Sequence, residues 1–170
     1  MTFELTTPIT DEALQRLKVG DMIAISGYIF CGRDAVLPKI LNLASQNALA
    51  CAGIDLQGSV IFHTAVSPAG VGPTSSNKLE IESSISPLSE LGVKLHLGKG
   101  ALKRETIDAL ERFHSVYAVI PPVTALLGAK TSDVRVVAFP ELGMEAFYSL
   151  KVDRYPAIIA AAHGSSIYHS

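Results

Sequence analysis

Cysteine is scarce in this chain of 170 residues: Cys31 and Cys51 are the only two. Two thiols cannot complete a four-thiolate cluster or zinc site, so the sequence offers no metal centre of that kind. Tryptophan is absent, and charged residues make up 18% of the chain, below the roughly 25% of an ordinary globular sequence. Lysines and arginines are scattered rather than clustered, and the net charge is −2. That balance argues against nucleic acid or an anionic membrane as the main partner. No basic stretch followed by an apolar one opens the sequence, so no secretory signal is read there and the expected compartment is the cytoplasm. Long apolar runs are missing as well. The most apolar stretch, 116–129, is interrupted by Pro121 and Pro122 and falls short of the roughly 20 apolar residues that a membrane span needs.

What is present is apolar content without a membrane pattern. Hydrophobic residues are 48% of the chain and the mean hydropathy is +0.33. The length suits a single domain spanning 1–170, large enough to bury a core without disulfides or a structural metal. So few charges on so apolar a chain lead us to expect that part of its surface is covered by another subunit.

Periodicity and turn signals divide the chain into alternating elements. An extended arm over 1–10 leads to a short helix over 11–17, with Thr10 as its cap and Asp11 and Glu12 suited to the helix dipole. A strand over 22–30 carries Gly27 as a bulge or close-approach point. A helix over 34–50 follows, with Asp34 as N-cap and Pro38 in its first turn. Further strands are expected at 58–65, 93–97, 115–120, 134–139, 147–152 and 157–161, and helices at 83–91, 103–113 and 123–127. The wholly apolar 115–120 reads as a central strand, and 164–170 as a polar tail. The class is α/β. The closing strands have little helix between them, which favours a mixed sheet, or two sheets, over a doubly wound one.

Three corners suit an anion. The stretch Gly70 to Glu80, GVGPTSSNKLE, puts glycines, a proline, the hydroxyls of Thr74, Ser75 and Ser76, and the cation of Lys78 into one loop. Gly70 and Gly72 permit close backbone approach. A solvated connection between strands is the plain alternative. Arg33 stands at a strand-to-helix corner, where a guanidinium can grip a carboxylate with two parallel bonds. Pairing with Asp34 is its plain alternative. Lys99 lies between Gly98 and Gly100, outside any GxxxxGK[ST] pattern, which excludes a P-loop. His63, within its strand, reads as a packed residue rather than a ligand.

These corners stand among further matching segments. They are Leu17-Lys18-Val19-Gly20-Asp21, Ser26-Gly27, Gly32-Arg33-Asp34-Ala35, Gly72-Pro73-Thr74-Ser75-Ser76 with Lys78, and Gly98-Lys99-Gly100. Glu141-Leu142-Gly143-Met144-Glu145-Ala146, followed by Tyr155-Pro156-Ala157, closes the series. In this order they make the chain resemble the β subunit, or C-terminal domain, of the class I fumarase and tartrate dehydratase family of iron–sulfur hydro-lyases. The resemblance covers nearly the whole chain. It implies a swivelling β/β/α domain with a mixed sheet, and reversible hydration or dehydration of a small dicarboxylic hydroxy acid.

The resemblance also implies an α subunit as partner in a hetero-oligomer of the (αβ)2 type. That subunit's cysteines would carry a 4Fe–4S cluster whose open iron takes the substrate hydroxyl, leaving no metal on this chain. Carried over to this sequence, Arg33, Thr74, Ser75, Lys78 and Lys99 bind the substrate, and Thr74 and Lys99 are catalytic. Thr74 is the base for the carbon-bound proton, its alkoxide stabilised by Lys99 or Lys78. Leu37 stands where the family has histidine, Lys78 where it has arginine, and Glu80 where it usually has aspartate. Lysine keeps the charge and loses the fork. Those departures motivate the second reading, a non-catalytic or divergent binding or assembly subunit of the same fold. A self-contained enzyme using His63 or His96 finds no nucleophile or metal constellation in the sequence to support it.

Overall fold

The computed structural model describes residues 2–64, 66–67, 70–71, 78–120 and 130–167, with the backbone alone for 67, 70, 71 and 78–81. The helix expected at 123–127 lies outside them. Among the described residues the chain runs through β1 (Thr2–Thr6), α1 (Asp11–Gln15), β2 (Met22–Cys31), α2 (Leu37–Ser45), β3 (Val60–Phe62), β4 (Val66–Ser67) and β5 (Gly70–Val71). It continues with α3 (Lys78–Glu90), β6 (Leu95–Gly98), α4 (Arg104–Arg112), β7 (Val116–Val119) and β8 (Thr131–Ala138). A 3-10 helix (Pro140–Glu145), β9 (Phe147–Ala162) and β10 (Ser165–Ser166) complete the order.

The class is α/β and the sheet is mixed, as expected. The strands other than β4 and β5 form one eight-stranded sheet. β1, β2, β3, β6 and β7 pair in parallel, and β9 pairs antiparallel with β7, β2, β8 and β10. Ile158 of β9 has Val119 of β7 as one partner and Met22 of β2 as the other. The order β2-β3-β6-β7-β9 therefore returns to β2, and the pairings close into a ring.

Alternate residues of the ring strands feed one core: Ile23, Ile25, Ile29, Val60, Phe62, Leu95, Leu97, Val116, Ala118, Leu150, Val152, Tyr155 and Ile159. β1 and α1 add Leu5 and Leu14 to it. The opposite faces carry the helices. Leu37 and Ile40 of α2 pack with Ile61, Leu88 and Phe147. Ile85 of α3 and Ile107 and Leu110 of α4 pack with Tyr117, Ala160 and Ala161. Each such fully buried aliphatic side chain contributes about 1.5–3 kcal/mol relative to exposure.

Several boundaries differ from the sequence reading. The N-terminal arm is a paired strand, Phe3 lying opposite Ile23. Thr10 does cap α1, its Oγ1 accepting from Ala13 N at 3.2 Å. α2 begins at Leu37 rather than at 34, and Asp34 is not its cap: the Arg33 carbonyl accepts from Val36 N at 3.1 Å and Leu37 N at 3.0 Å instead. α3 starts at Lys78, ahead of the expected 83, and Pro87 falls inside it. The strands expected at 147–152 and 157–161 are one strand. The 164–170 tail begins with β10, which pairs back onto β9.

Of the parallel strands, β2, β3, β6 and β7 end together. Cys31, Phe62 and Leu97 share a row, and Gly98 pairs with Val119. The next amides extend the ladder: Gly32 N donates to Phe62 O at 3.1 Å, His63 N to Leu97 O at 2.9 Å and Ile120 N to Gly98 O at 3.1 Å. α3 runs back along the sheet, because Gly92 at its far end accepts from Gly58 N at 2.9 Å just ahead of β3. Its start therefore lies toward the carboxyl edge of the strands, the edge that open α/β sheets use for ligands.

Candidate functional site

Arg33 leaves β2 through Gly32, which packing requires to be glycine. A Cβ there would stand 2.8 Å from Val36 Cγ1 and 3.1 Å from the Phe147 ring. The guanidinium Nε donates to Glu145 Oε1 at 3.0 Å and lies 3.5 Å from Asp34 Oδ1. The Asp34 pairing raised as an alternative is thus real, and a closer carboxylate joins it. The Arg33 and Glu145 side chains are 21% and 34% exposed, so solvent screens this pair only in part. Glu145 arrives there because the 3-10 helix feeds β9, whose Tyr148 pairs with Cys31. β4 lies against that same 3-10 helix. Leu37 is fully buried in the α2 core, beside Gly32.

Lys99 follows β6 and is exposed, with no ion pair among the described residues. Its two glycines do different work. Gly98 makes room for Tyr117, whose hydroxyl would lie 3.2 Å from an added Cβ. Gly100 sits at φ +85°, in the left-handed region, and its carbonyl accepts from Tyr117 Oη at 3.1 Å. Beyond it, the Glu82 carboxylate of α3 accepts from Lys103 N at 2.9 Å and from Thr106 Oγ1 at 2.8 Å. This ties the first turns of α3 to the segment that follows Lys99.

The sheet therefore brings Arg33, Lys99 and the start of α3 to one edge. Lys78 opens α3 and its side chain lies outside the described residues, as do Thr74 and Ser75 entirely. The expected single loop over 70–80 is narrower than the sequence suggested: Gly70 and Val71 form β5, and residues from Lys78 onward are helical.

Other residues at this edge escaped the sequence reading. In the sequence Glu145 stands out only as part of a matching segment, and Tyr117 only as part of an apolar strand. His63 is packed, as expected, but against another histidine: its Nε2 lies 2.9 Å from His96 Nδ1. His96 Nε2 in turn lies 2.8 Å from Ser89 Oγ of α3. Burial pushes the His63 imidazole down to about 3 and, aided by His63 itself, holds His96 well below its ordinary range. Both rings are neutral at physiological pH.

The cysteines do not fit an iron–sulfur cubane. Cys31 is fully buried in the ring's core, where burial pushes its thiol far up, while Cys51 is exposed in the turns beyond α2. Among the described residues no group of three or more His, Cys, Asp or Glu side chains is placed to hold a metal ion. No helix among them is long and apolar enough to cross a membrane.

A family model described as Fumarase C-terminus matches residues 1–170. The chain belongs to this family. A relative from Methanocaldococcus jannaschii, provisionally named L(+)-tartrate dehydratase subunit beta, is 31% identical over 94% of this chain and 88% of its own length. The L(+)-tartrate dehydratase subunit beta of Escherichia coli K12 is 29% identical over 96% of this chain and 85% of its own. A longer Geobacillus stearothermophilus protein, provisionally named fumarate hydratase class I, is 29% identical over 96% of this chain, which spans 33% of it. Family members thus occur both as separate subunits and as part of a longer chain.

Proposed function

We propose that this chain is the β subunit of a hydro-lyase that reversibly adds water to, or removes it from, a small dicarboxylic hydroxy acid. The tartrate/oxaloacetate and fumarate/malate pairs are the candidate substrates, in keeping with the relatives' names. The observation that carries the site assignment is the delivery of Arg33 and Lys99, by the parallel strands β2 and β6 on either side of β3, to the edge where α3 begins. Two cations at one rim match the two carboxylates of such a substrate. Arg33, steadied by Glu145, binds one carboxylate, and Lys99 with Lys78 serves the other. Thr74 and Ser75, just ahead of α3 in the chain, meet the substrate between them, with Thr74 taking the carbon-bound proton and Lys99 stabilising its alkoxide.

The rest of the assembly belongs to the same proposal. A 4Fe–4S cluster, where the enzyme uses one, is held by the partner α subunit, since this chain's two thiols do not suit it. Pairing with that subunit gives an (αβ)2 hetero-oligomer, and the domain is of the swivelling β/β/α kind, a reading its ring of strands with helices outside supports.

The test is an anaerobic assay of the chain with its partner subunit against malate, fumarate and L-tartrate. Arg33→Ala is expected to raise KM roughly 10- to 150-fold, the range for a lost hydrogen bond to a charged group. Thr74→Ala is expected to lower kcat with KM little changed. Wild-type kinetics in both variants would remove the site assignment.

A further inference from the structure

We propose that His63 is a substrate-binding residue: its Nδ1 donates a hydrogen bond to a carboxylate of the bound dicarboxylate, held in that role by a buried relay through His96 to Ser89. This rests on the function proposed above. The relay begins deep in the fold, near the last turn of α3 at Ser89, and climbs toward the carboxyl edge. His96 lies within β6, paired with Ile61. His63 is the first residue beyond β3, level with Gly98 and one step short of the row that Arg33 and Lys99 occupy. Phe62, Leu95 and Leu97 turn into the ring's core, so His63 and His96 face the other way, toward α3.

Each contact in the chain is short: 2.8 Å from Ser89 Oγ to His96 Nε2 and 2.9 Å from His96 Nδ1 to His63 Nε2. The chain does not terminate. His63 is 3% exposed and its Nδ1 is buried with no hydrogen-bond partner among the described residues. An imidazole pair serving only to pack would have its outer nitrogen satisfied, because an unpaired buried polar atom is costly. A ligand that arrives at the edge resolves this.

The chemistry fixes the direction. A carboxylate only accepts. For Nδ1 to donate, His63 must carry its proton there and accept at Nε2 from His96 Nδ1–H. His96 must then accept at Nε2 from the Ser89 hydroxyl. Every member of the chain is satisfied in that one tautomeric arrangement. Burial keeps both rings neutral, so His63 adds a directed donor to the site without a third positive charge. His96 and Ser89 are positioning residues, and they hold the tautomer.

The test uses the complex with its partner subunit, labelled with ¹⁵N-histidine, and L-malate as the probe. Expected are a coupling across the hydrogen bond between His63 Nε2 and His96 Nδ1, and a shift of the protonated His63 Nδ1 resonance when malate saturates the site. His63→Phe is expected to raise KM for malate about tenfold with kcat changed less. His63→Asn, whose amide N–H can stand in for Nδ1–H, is expected to recover most of that loss. Ser89→Ala is expected to redistribute the His63 tautomers. Malate bound by calorimetry with the His63 Nδ1 resonance unmoved would overturn this inference and leave the function standing. A complex that binds neither malate, fumarate nor tartrate would overturn the function and this inference with it. The resonance decides the matter even where a His63 variant fails to fold.

Discussion

Glu145 already engages the Nε donor of Arg33, and that is the residue-scale feature on which the proposed site depends. Glu145 holds Nε at 3.0 Å, which fixes the plane of the guanidinium before any substrate arrives. Glu145→Ala should therefore leave the charge of Arg33 in place but loosen its aim. KM for the dicarboxylate is expected to rise about three- to tenfold with kcat nearly unchanged. A steady-state comparison with Glu145→Gln separates lost charge from lost geometry, and a fall in KM would show that Glu145 competes with the substrate instead. The buried histidines carry a second residue-scale consequence. In the unfolded chain a histidine binds its proton near pH 6.5, but folded His63 does so only near 3 and His96 lies well below its ordinary value. Below pH 6.5 the unfolded state thus binds protons that the native state refuses, and stability falls with pH through that window. Urea midpoints measured from pH 7 to 4.5 should drop, and the slope should flatten in the His63→Asn/His96→Asn variant. A slope that persists unchanged there would assign the pH dependence to other groups. Asp11 acts lower: the Lys94 hydrogen bond depresses its carboxyl, so its small contribution is present above its ordinary value of 3.8 and is lost as pH falls below it.

At the scale of elements, β9 shows what was legible and what was not. The sequence reading splits it in two because its apolar alternation breaks: Leu150 and Val152 face the core, then Tyr155, Ala157 and Ile159. The cause is a bulge. The register with β2 shifts between Ile25 and Gly27, Arg154 adopts φ +53°, and its amide is satisfied by Ser26 Oγ at 3.0 Å. A bulge switches the inward face without ending the strand, and no local pattern distinguishes that from a turn. The positions of Arg33 and Lys99 at strand ends were legible because each follows its own strand and flanking glycine. Glu145 was not, because it meets Arg33 across 112 residues through sheet register alone. His63 and His96 meet in the same way, through neighbouring strands. Gly27 was legible as a close-approach point. It has φ +108°, and an added Cβ would collide with Thr7 Oγ1. Gly27→Ala should cost about 1–3 kcal/mol, from the left-handed backbone together with the contact. Chemical denaturation measures this directly, and a variant as stable as the parent would show that β1 and its following turn shift at no cost.

For the whole molecule, the closure of the ring links stability to function. β2 and β9 form its longest seam, running from the Met22–Ile158 pair to the Cys31–Tyr148 pair. The edge of the proposed site lies at the second end. Arg33 follows Cys31 there, Glu145 precedes β9, and the Phe30 and Phe147 rings stack at 4.9 Å between centroids. Opening that end would part the Arg33–Glu145 pair, so the seam has to be stable for the rim to stay in register. A closed ring also lacks the frayed edges from which an open sheet unzips, and its seam strands should open only with the global transition. In native-state hydrogen exchange, the amides of β2 and of β9 from 147 to 158 are expected to exchange last and together. Those of α1, a short helix held by one capping hydroxyl, are expected to exchange earlier. If the 147–152 end exchanges well before the 155–158 end, the seam opens from the site inward. Side-chain contacts such as the Glu145 pair, rather than the strand pairing, would then hold Arg33, and Glu145→Ala should speed exchange at 147–152. If both ends exchange at the global rate in wild type and in Glu145→Ala alike, the strand pairing itself holds the arginine's corner in place.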